Sequence, residues 1–307
     1  MPEGDSVWRA AAELHKALGG QVLTSSDFRV PRFATLNLAG WTVSEVVPRG
    51  KHLLMRVLEP AGAGSEAPGS APPGSAPPGS AAASPNARAA DAGPPRRALT
   101  IHSHLKMEGS WQVYAPGGRW RKPGHTARCV LRTATADVVG FSLGILDVIP
   151  TPEEHRVVGH LGPDLLGPDW DTEEAVRRLR GAPETPIGLA LLDQRNVAGI
   201  GNIYRCEACF LAGVHPAAPV SAVPDLTGML AESKALLEAN LGPGRRITRG
   251  SMLPGIRGVP RPGYWVYGRE NQPCLRCGTP IRRAMLGPAS GLEDRNIYFC
   301  PKCQPTH

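Results

Sequence analysis

The chain has 307 residues, 41% of them hydrophobic, enough to bury a sizeable core and to divide into more than one domain. Its formal net charge of +7 suits a polyanionic partner, and no apolar run approaches the roughly 20 residues that span a bilayer. The start of the chain lacks the basic and apolar regions of a secretory signal, so a cytoplasmic protein is expected.

The chain opens Met1-Pro2-Glu3-Gly4-Asp5-Ser6-Val7. Removal of Met1 would expose the secondary α-amine of Pro2. A free α-amine titrates near pH ~7.7–8.0, so a useful fraction is a neutral nucleophile at pH 7. Its attack on an electrophilic sugar carbon gives a cationic iminium, an electron sink, and Glu3 stands beside it as a general acid or base. Val7, Ala10, Ala11, Leu14 and Leu18 recur at helical spacing, with Asp5 or Ser6 as N-cap and Gly19-Gly20 as the stop. Pro2 thus precedes a helix N-terminus, whose partial positive charge favours the neutral amine.

Strand character follows in residues 41–47 and 52–58, around the turn Pro48-Arg49-Gly50-Lys51. Lys51 at this hairpin tip is placed to meet a ligand. Residues 60–97 turn abruptly to Gly, Ser, Ala and Pro, with the unit Gly-Ser-Ala-Pro-Pro repeated. So little apolar mass does not offset ordering entropy, and a disordered insert is expected. Strands are predicted again within 98–114, 127–133 and 136–146, the first interrupted by Leu105-Lys106-Met107-Glu108-Gly109. His102 and His104 share a strand face without a third metal ligand evident nearby.

The second half changes period. Helices fit residues 172–180, 185–194, 200–212 and 224–241. The run from Gln194 to Tyr204 passes through Gly199-Ile200-Gly201, where glycines admit close backbone approach and the next helix start can hold a phosphate. Cys206 and Cys209 fall inside a helix and fit a packed face better than a metal. Cys274-Leu275-Arg276-Cys277 and Cys300-Pro301-Lys302-Cys303 form two knuckles whose four thiolates suit one structural Zn²⁺. Between them, 295–299 alternates as a strand, which places Arg295 near the tip of a small β-hairpin.

Taken together, the chain resembles the formamidopyrimidine-DNA glycosylase and endonuclease VIII family of base-excision repair enzymes. The resemblance rests on Met1-Pro2-Glu3-Gly4, Gly50-Lys51-His52-Leu53, His104-Leu105-Lys106-Met107-Glu108-Gly109, the Gln194–Tyr204 run, and Tyr267-Gly268-Arg269 ahead of the four-cysteine finger. It implies an α+β fold: an N-terminal β-sandwich with a leading helix (residues 1–148), a helix–two-turn–helix domain (149–262) and a zinc finger (263–307). It also implies that Pro2 attacks C1′ of a damaged nucleotide, that Glu3 is the acid/base and that Lys51 belongs to the catalytic set beside them. Lys51, Asn202 and Arg295 would hold phosphates, while Leu105, Lys106 and Met107 fill the space of a flipped base. The implied partner is damaged double-stranded DNA, with a monomer favoured, and the implied location is at the nucleoid. Gly4 resembles the endonuclease VIII branch, which prefers oxidised pyrimidines, whereas Met107 resembles the branch that prefers oxidised purines. Ser6 departs from the glutamate common there. A damaged-DNA-binding module without catalysis is the rival reading, and Pro2-Glu3 is the feature that discriminates against it.

Overall fold

The computed structural model of the chain describes residues 2–60, 96–249, 263–287 and 295–306. Met1 and nearly all of the low-complexity insert lie outside the described residues. Helix α1 (Gly4–Leu18) buries Val7, Ala11, Leu14 and Leu18, the stripe that its sequence spacing predicts. Eight strands follow: β1 (Ser25–Phe28), β2 (Thr42–Arg49), β3 (His52–Leu58), β4 (Ala98–His104), β5 (Ser110–Tyr114), β6 (Ala127–Arg132), β7 (Asp137–Phe141) and β8 (Ile145–Pro150). They form two antiparallel four-stranded sheets, ordered β2-β3-β4-β8 and β1-β6-β7-β5. Val43, Met55 and Ile101 of the first sheet share one core with Leu131 and Val138 of the second and with α1. This is the sandwich with a leading helix.

The predicted strand over 136–146 is divided in the structure. Ser142 adopts φ +46°, which ends β7 and sends the chain across to the other sheet as β8. The outer face of the β1-β6-β7-β5 sheet carries a satellite core of Tyr114, Val130, Val139 and Phe141, covered by Trp120.

Beyond β8 the chain forms α2 (His155–Val158), α3 (Thr172–Arg180), α4 (Ile187–Ala190), α5 (Asn202–Leu211) and α6 (Leu226–Glu238). Leu179, Ile187, Leu191, Ile200, Tyr204, Leu230 and Leu237 make their core. The helix expected over 185–194 shrinks to the single turn α4. Asp193 and Gln194 spend their side chains on local backbone, Asp193 accepting the Arg195 N–H and Gln194 donating to the Leu192 and Ile200 carbonyls. The last elements, β9 (Arg282–Leu286) and β10 (Arg295–Phe299), pair antiparallel with Arg295 opposite Leu286. Ile281 and Ile297 pack on Cys206 and Phe210 of α5, so the hairpin sits on the helical core. The two α5 cysteines are buried packing groups. Among the described residues no helix is long and apolar enough to cross a membrane.

Candidate active site

Glu3, not Asp5 or Ser6, is the N-cap of α1, and Pro2 lies one residue ahead of it, half-buried. The Ser6 hydroxyl takes the capping duty. It accepts the Glu3 N–H at 2.9 Å and donates to the Glu3 carbonyl at 2.9 Å. That frees the Glu3 side chain to leave its own helix and meet another. Its fully buried carboxylate accepts N–H bonds from Gly201 (2.9 Å), Ile203 (2.8 Å) and Tyr204 (3.3 Å). These amides belong to the start of α5, where unpaired donors and the helix dipole favour an anion. The approach demands glycine on both sides. A Cβ on Gly201 would lie 2.4 Å from Glu3 Cδ, and one on Gly4 would lie 3.0 Å from Gly199 Cα.

Asp5 is equally buried and pairs with Arg246 through Nε–Oδ2 (2.7 Å) and Nη2–Oδ1 (2.5 Å). Arg246 also donates to Ser6 Oγ at 3.3 Å and lies over the Tyr204 ring. The first turn of α1 is therefore gripped twice by the helical half of the chain.

Lys51 sits in the β2–β3 turn after Gly50, whose φ of +56° is a glycine conformation. The Gly50 N–H donates to Asp164 Oδ2 at 2.6 Å, and Asp164 Oδ1 accepts the Leu166 N–H at 3.1 Å. Burial pushes the Asp164 carboxyl up while these donors oppose it. The hairpin tip is thus tied to the segment entering the helical half. Burial is the main cause that brings the Lys51 ammonium down to about 8; the Glu3 charge opposes it, and Arg295 and Arg205 add to it. Lys51, Glu3 and Arg295 consequently share one electrostatic neighbourhood.

Arg295 opens β10 and is exposed. The α5 side chains hold the backbone beneath it. Asn202 Nδ2 donates to the Asn296 carbonyl at 3.0 Å, and fully buried Arg205 reaches the carbonyls of Arg295 (3.5 Å) and Gly188 (3.3 Å). One helix start therefore carries Glu3 on its amides and the Arg295 strand on its side chains. Glu207, a buried carboxylate on the same helix, accepts the N–H groups of Trp265, Val266 and Tyr267 and the Thr248 hydroxyl.

The loop between β4 and β5 presents Met107, 63% exposed, and exposed Lys106, whose φ is +53°. Leu105 corrects the expectation that all three residues enter a base stack. It is 5% exposed and belongs to the sandwich core, so it anchors the loop. The Lys106 N–H donates to His104 Nδ1 at 2.9 Å. His104 and His102 also have more company than sequence spacing suggested. His52 stacks on His102 with a 2.8 Å Nδ1···Nε2 contact, and His104 and His160 stand edge-on to His52. Burial, with neighbouring positive groups, holds His52 down at about 3 and His104 at about 4, so both are neutral near pH 7.

At the finger, Cys274, Cys277, Cys300 and Cys303 bring their sulfurs within 4.8 Å of one another, the one such group found among the described residues. Cys274–Cys303 and Cys277–Cys300 separations are 3.9 and 3.5 Å. A tetrahedral zinc ion ~2.3 Å from each sulfur spaces them by about 3.8 Å, so the residues fit the ion. Backbone N–H groups of Arg276 and Cys303 donate to Cys274 and Cys300 sulfurs, as thiolates in a knuckle require.

The profile of the formamidopyrimidine-DNA glycosylase H2TH domain matches residues 161–245. The chain is 49% identical to a protein of Streptomyces coelicolor named probable endonuclease 8 2, over 99% of this chain and 94% of that one. The chain belongs to the endonuclease 8 and formamidopyrimidine-DNA glycosylase family. A second member of the family, the DNA-(apurinic or apyrimidinic site) lyase Nei2 of Mycolicibacterium smegmatis, is 39% identical over 99% of both chains. In fold, the chain resembles the formamidopyrimidine-DNA glycosylase of Lactococcus lactis, solved non-covalently bound to DNA containing an abasic site. That likeness has a TM-score of 0.69 at 22% identity and covers 99% of this chain and 100% of the other.

Within this family's site, sequence reasoning missed Asp164, Arg205, Glu207 and Arg246. None sits in a spacing pattern of its own, and each acts on a partner far along the chain. Gly162-Pro163-Asp164 and the glutamate following Cys206 are the signals that were there to be weighed.

Proposed function

We propose that the protein excises oxidised bases, pyrimidines favoured, from damaged double-stranded DNA and then cleaves the abasic site by β,δ-elimination. The observation that carries this reading is the Glu3 carboxylate, buried on three α5 amides directly after Pro2, with the charges of Lys51 and Arg295 acting on the same space. A module that only binds DNA has no use for a carboxylate immobilised beside an N-terminal secondary amine.

In the proposed reaction the neutral Pro2 nitrogen attacks C1′. The N–C1′ bond forms as the glycosidic bond breaks, and the departing base takes up a proton. Glu3 handles the proton at the ring oxygen as the sugar opens, and its three fixed donors keep it from turning away. The iminium acidifies C2′–H. Loss of that proton gives the enamine, whose electron pair then returns from nitrogen to form the C2′=C3′ bond as the C3′–O bond breaks, releasing the 3′ phosphate and restoring the iminium. A second elimination releases the 5′ phosphate, and water then frees Pro2. Lys51 and Arg295 hold the phosphates flanking the flipped nucleotide, and Asn202 supports Arg295 from behind. Met107 and Lys106 fill the space it leaves. A zinc ion bound by the four cysteines would be structural, because all its ligands come from protein, and would hold the hairpin that bears Arg295.

The test is borohydride trapping on duplex DNA with one abasic site, comparing wild type with Pro2→Gly and Glu3→Gln. The expected result is a covalent adduct mapped to the Pro2 nitrogen in the wild type, absent in Pro2→Gly and at least about 100-fold slower in Glu3→Gln. Protein with a free Pro2 that binds this DNA but neither traps nor cuts it would leave a binding module as the better account.

A further inference from the structure

From Gly109 to Ala136 the chain contains no Asp or Glu, yet carries Arg119, Arg121, Lys122, Arg128 and Arg132. Some exposed arginines elsewhere are neutralised in the structure, Arg156 by Glu153, Arg177 by Glu174 and Arg195 by Asp193, whereas Arg180, Arg245, Arg276 and Arg282 stand apart from one another without a carboxylate partner among the described residues. Arg119, Arg121, Lys122 and Arg128 have no such carboxylate partner among the described residues, whereas Arg132 meets Asp137. A fixed positive patch without internal counter-ions is the footprint of an external polyanion.

Topology brings one of these cations, Lys122, to the loop that enters DNA in the proposed function, while Arg121 lies over Tyr114 at the far end of β5. The stretch 115–126 leaves β5 at Tyr114, crosses the outer face of the β1-β6-β7-β5 sheet, and returns at Ala127 opposite Phe141. Phe141 also pairs with Ser110, the residue after the Leu105–Gly109 loop. Lys122 Nζ donates to Ser110 Oγ at 2.8 Å, so the cationic stretch passes against the base of that loop.

The stretch is held in place. Trp120 meets Phe141 edge-on at 5.8 Å and is capped by the Arg29 guanidinium at 5.2 Å. The Arg121 N–H donates to the Tyr114 hydroxyl at 3.2 Å while its guanidinium lies over the Tyr114 ring. Arg128 Nη1 donates to the His125 carbonyl at 3.1 Å, and the Ser142 N–H closes onto the Thr126 carbonyl. Arg119 and Arg121 remain exposed at the outer edge of this scaffold. Charges presented on a rigid support lose little entropy on binding.

We infer that Arg119, Arg121, Lys122 and Arg128 form a second phosphate-contacting surface for the duplex that flanks the lesion on the side of the Met107 loop. The inference rests on the proposed DNA-repair function and deepens it by naming the surface that holds the duplex flanking the lesion. Lys122 links the grip on the flank to the inserted loop through Ser110, and the arginines add phosphate contacts at the outer edge.

The test measures affinity against salt concentration for a duplex bearing a non-hydrolysable abasic analogue and for the same damaged strand alone. Wild type is compared with Arg119→Glu/Arg121→Glu, with the milder Arg119→Gln/Arg121→Gln, and with Arg177→Glu/Arg180→Glu on α3. Each lost phosphate contact removes about 0.9 from the slope of log affinity against log salt, so both loop variants should be shallower by about two on duplex. Duplex affinity at low salt should fall about tenfold or more in the loop variants and stay at wild-type level in the α3 variant, and the single strand should show little difference. An unchanged duplex slope, or an equal loss in the α3 variant, overturns the inference. Borohydride trapping by the wild type is scored separately: its absence would sink the proposed function, while the slopes would still judge the patch.

Discussion

Glu3 and Gly201 lie 198 residues apart in sequence and meet through a 2.9 Å hydrogen bond in a fully buried contact. This contact joins the amine-bearing end of the chain to the helix that also supports the Arg295 hairpin. Gly201→Ala should therefore damage the site more than its volume suggests. The new Cβ would fall 2.4 Å from Glu3 Cδ, and the overpacking should cost about 1–3 kcal/mol of stability. Trapping of abasic DNA should drop at least about tenfold even in the folded fraction, since a ~1 Å displacement of an acid/base group is costly. Urea unfolding and single-turnover trapping read the two effects apart.

The Asp5–Arg246 pair makes a prediction of a different kind. Both side chains are nearly or fully buried, at 0% and 9% exposure. Removing one partner strands the other charge, so Arg246→Ala should destabilise by about 3–5 kcal/mol. The double change Asp5→Asn with Arg246→Met removes both charges and should recover most of that loss. Denaturation midpoints of the wild type, the single and the double variant decide it; a single variant within about 0.5 kcal/mol of wild type would contradict the buried-pair account.

What was legible in the sequence was local chemistry. Pro2-Glu3 beside a helix start, Lys51 at a hairpin tip and the paired Cys-x-x-Cys units each announce themselves within a few residues, and the sandwich follows from strand alternation and the stripe on α1. The supports were not legible, because they are contacts across the chain. Arg246 reaches Asp5 over a separation of 241 residues, and Glu207 holds backbone 58 to 60 residues away. Element ends failed where side chains outcompeted periodicity. Gln194 and Asp193 unwound the predicted helix over 185–194, and Ser6 moved the α1 cap back to Glu3. The burial of Leu105 was equally hidden, since one apolar residue in a loop reads the same whether it anchors or inserts.

That difference between Leu105 and Met107 is measurable. Met107→Ala removes a side chain that is 63% exposed, so stability should stay within about 0.5 kcal/mol. Base excision should slow several-fold while trapping at a preformed abasic site, which needs less stacking support, changes little. Leu105→Ala empties a core position and should cost about 2–4 kcal/mol of stability. Thermal melting beside excision kinetics distinguishes an anchor from a wedge.

Removal of metal from the four-cysteine cluster should act on DNA binding through Arg295. The sulfurs surround one position, with separations of 3.5 and 3.9 Å that fit tetrahedral zinc. One equivalent of zinc is expected by elemental analysis. Chelation should lower affinity for abasic duplex at least about tenfold, since structural zinc contributes on the order of 10 kcal/mol to small fingers. Far-UV signal from the sandwich should persist, because its core shares no residue with the finger cluster.

Lys51 gives the site a pH dependence whose sign follows from its surroundings. Its ammonium is brought down to about 8, chiefly by burial, with Glu3 opposing and Arg295 and Arg205 adding to the shift. Below that value Lys51 is charged and ready for a phosphate; above it the free protein must take up a proton to bind. Affinity for abasic duplex should thus be flat below pH 7 and fall by up to tenfold per unit as pH rises past 8, one proton being linked to each complex. Lys51→Arg keeps its charge throughout this range and should flatten the curve, at some cost in absolute affinity because a planar fork replaces a compact ammonium. Binding titrations from pH 6.5 to about 9.5 at constant ionic strength, with free Pro2 in both proteins, separate this effect from screening. Equal slopes in wild type and Lys51→Arg would assign the loss to another group; His52 and His104, neutral across this window, are not among the candidates.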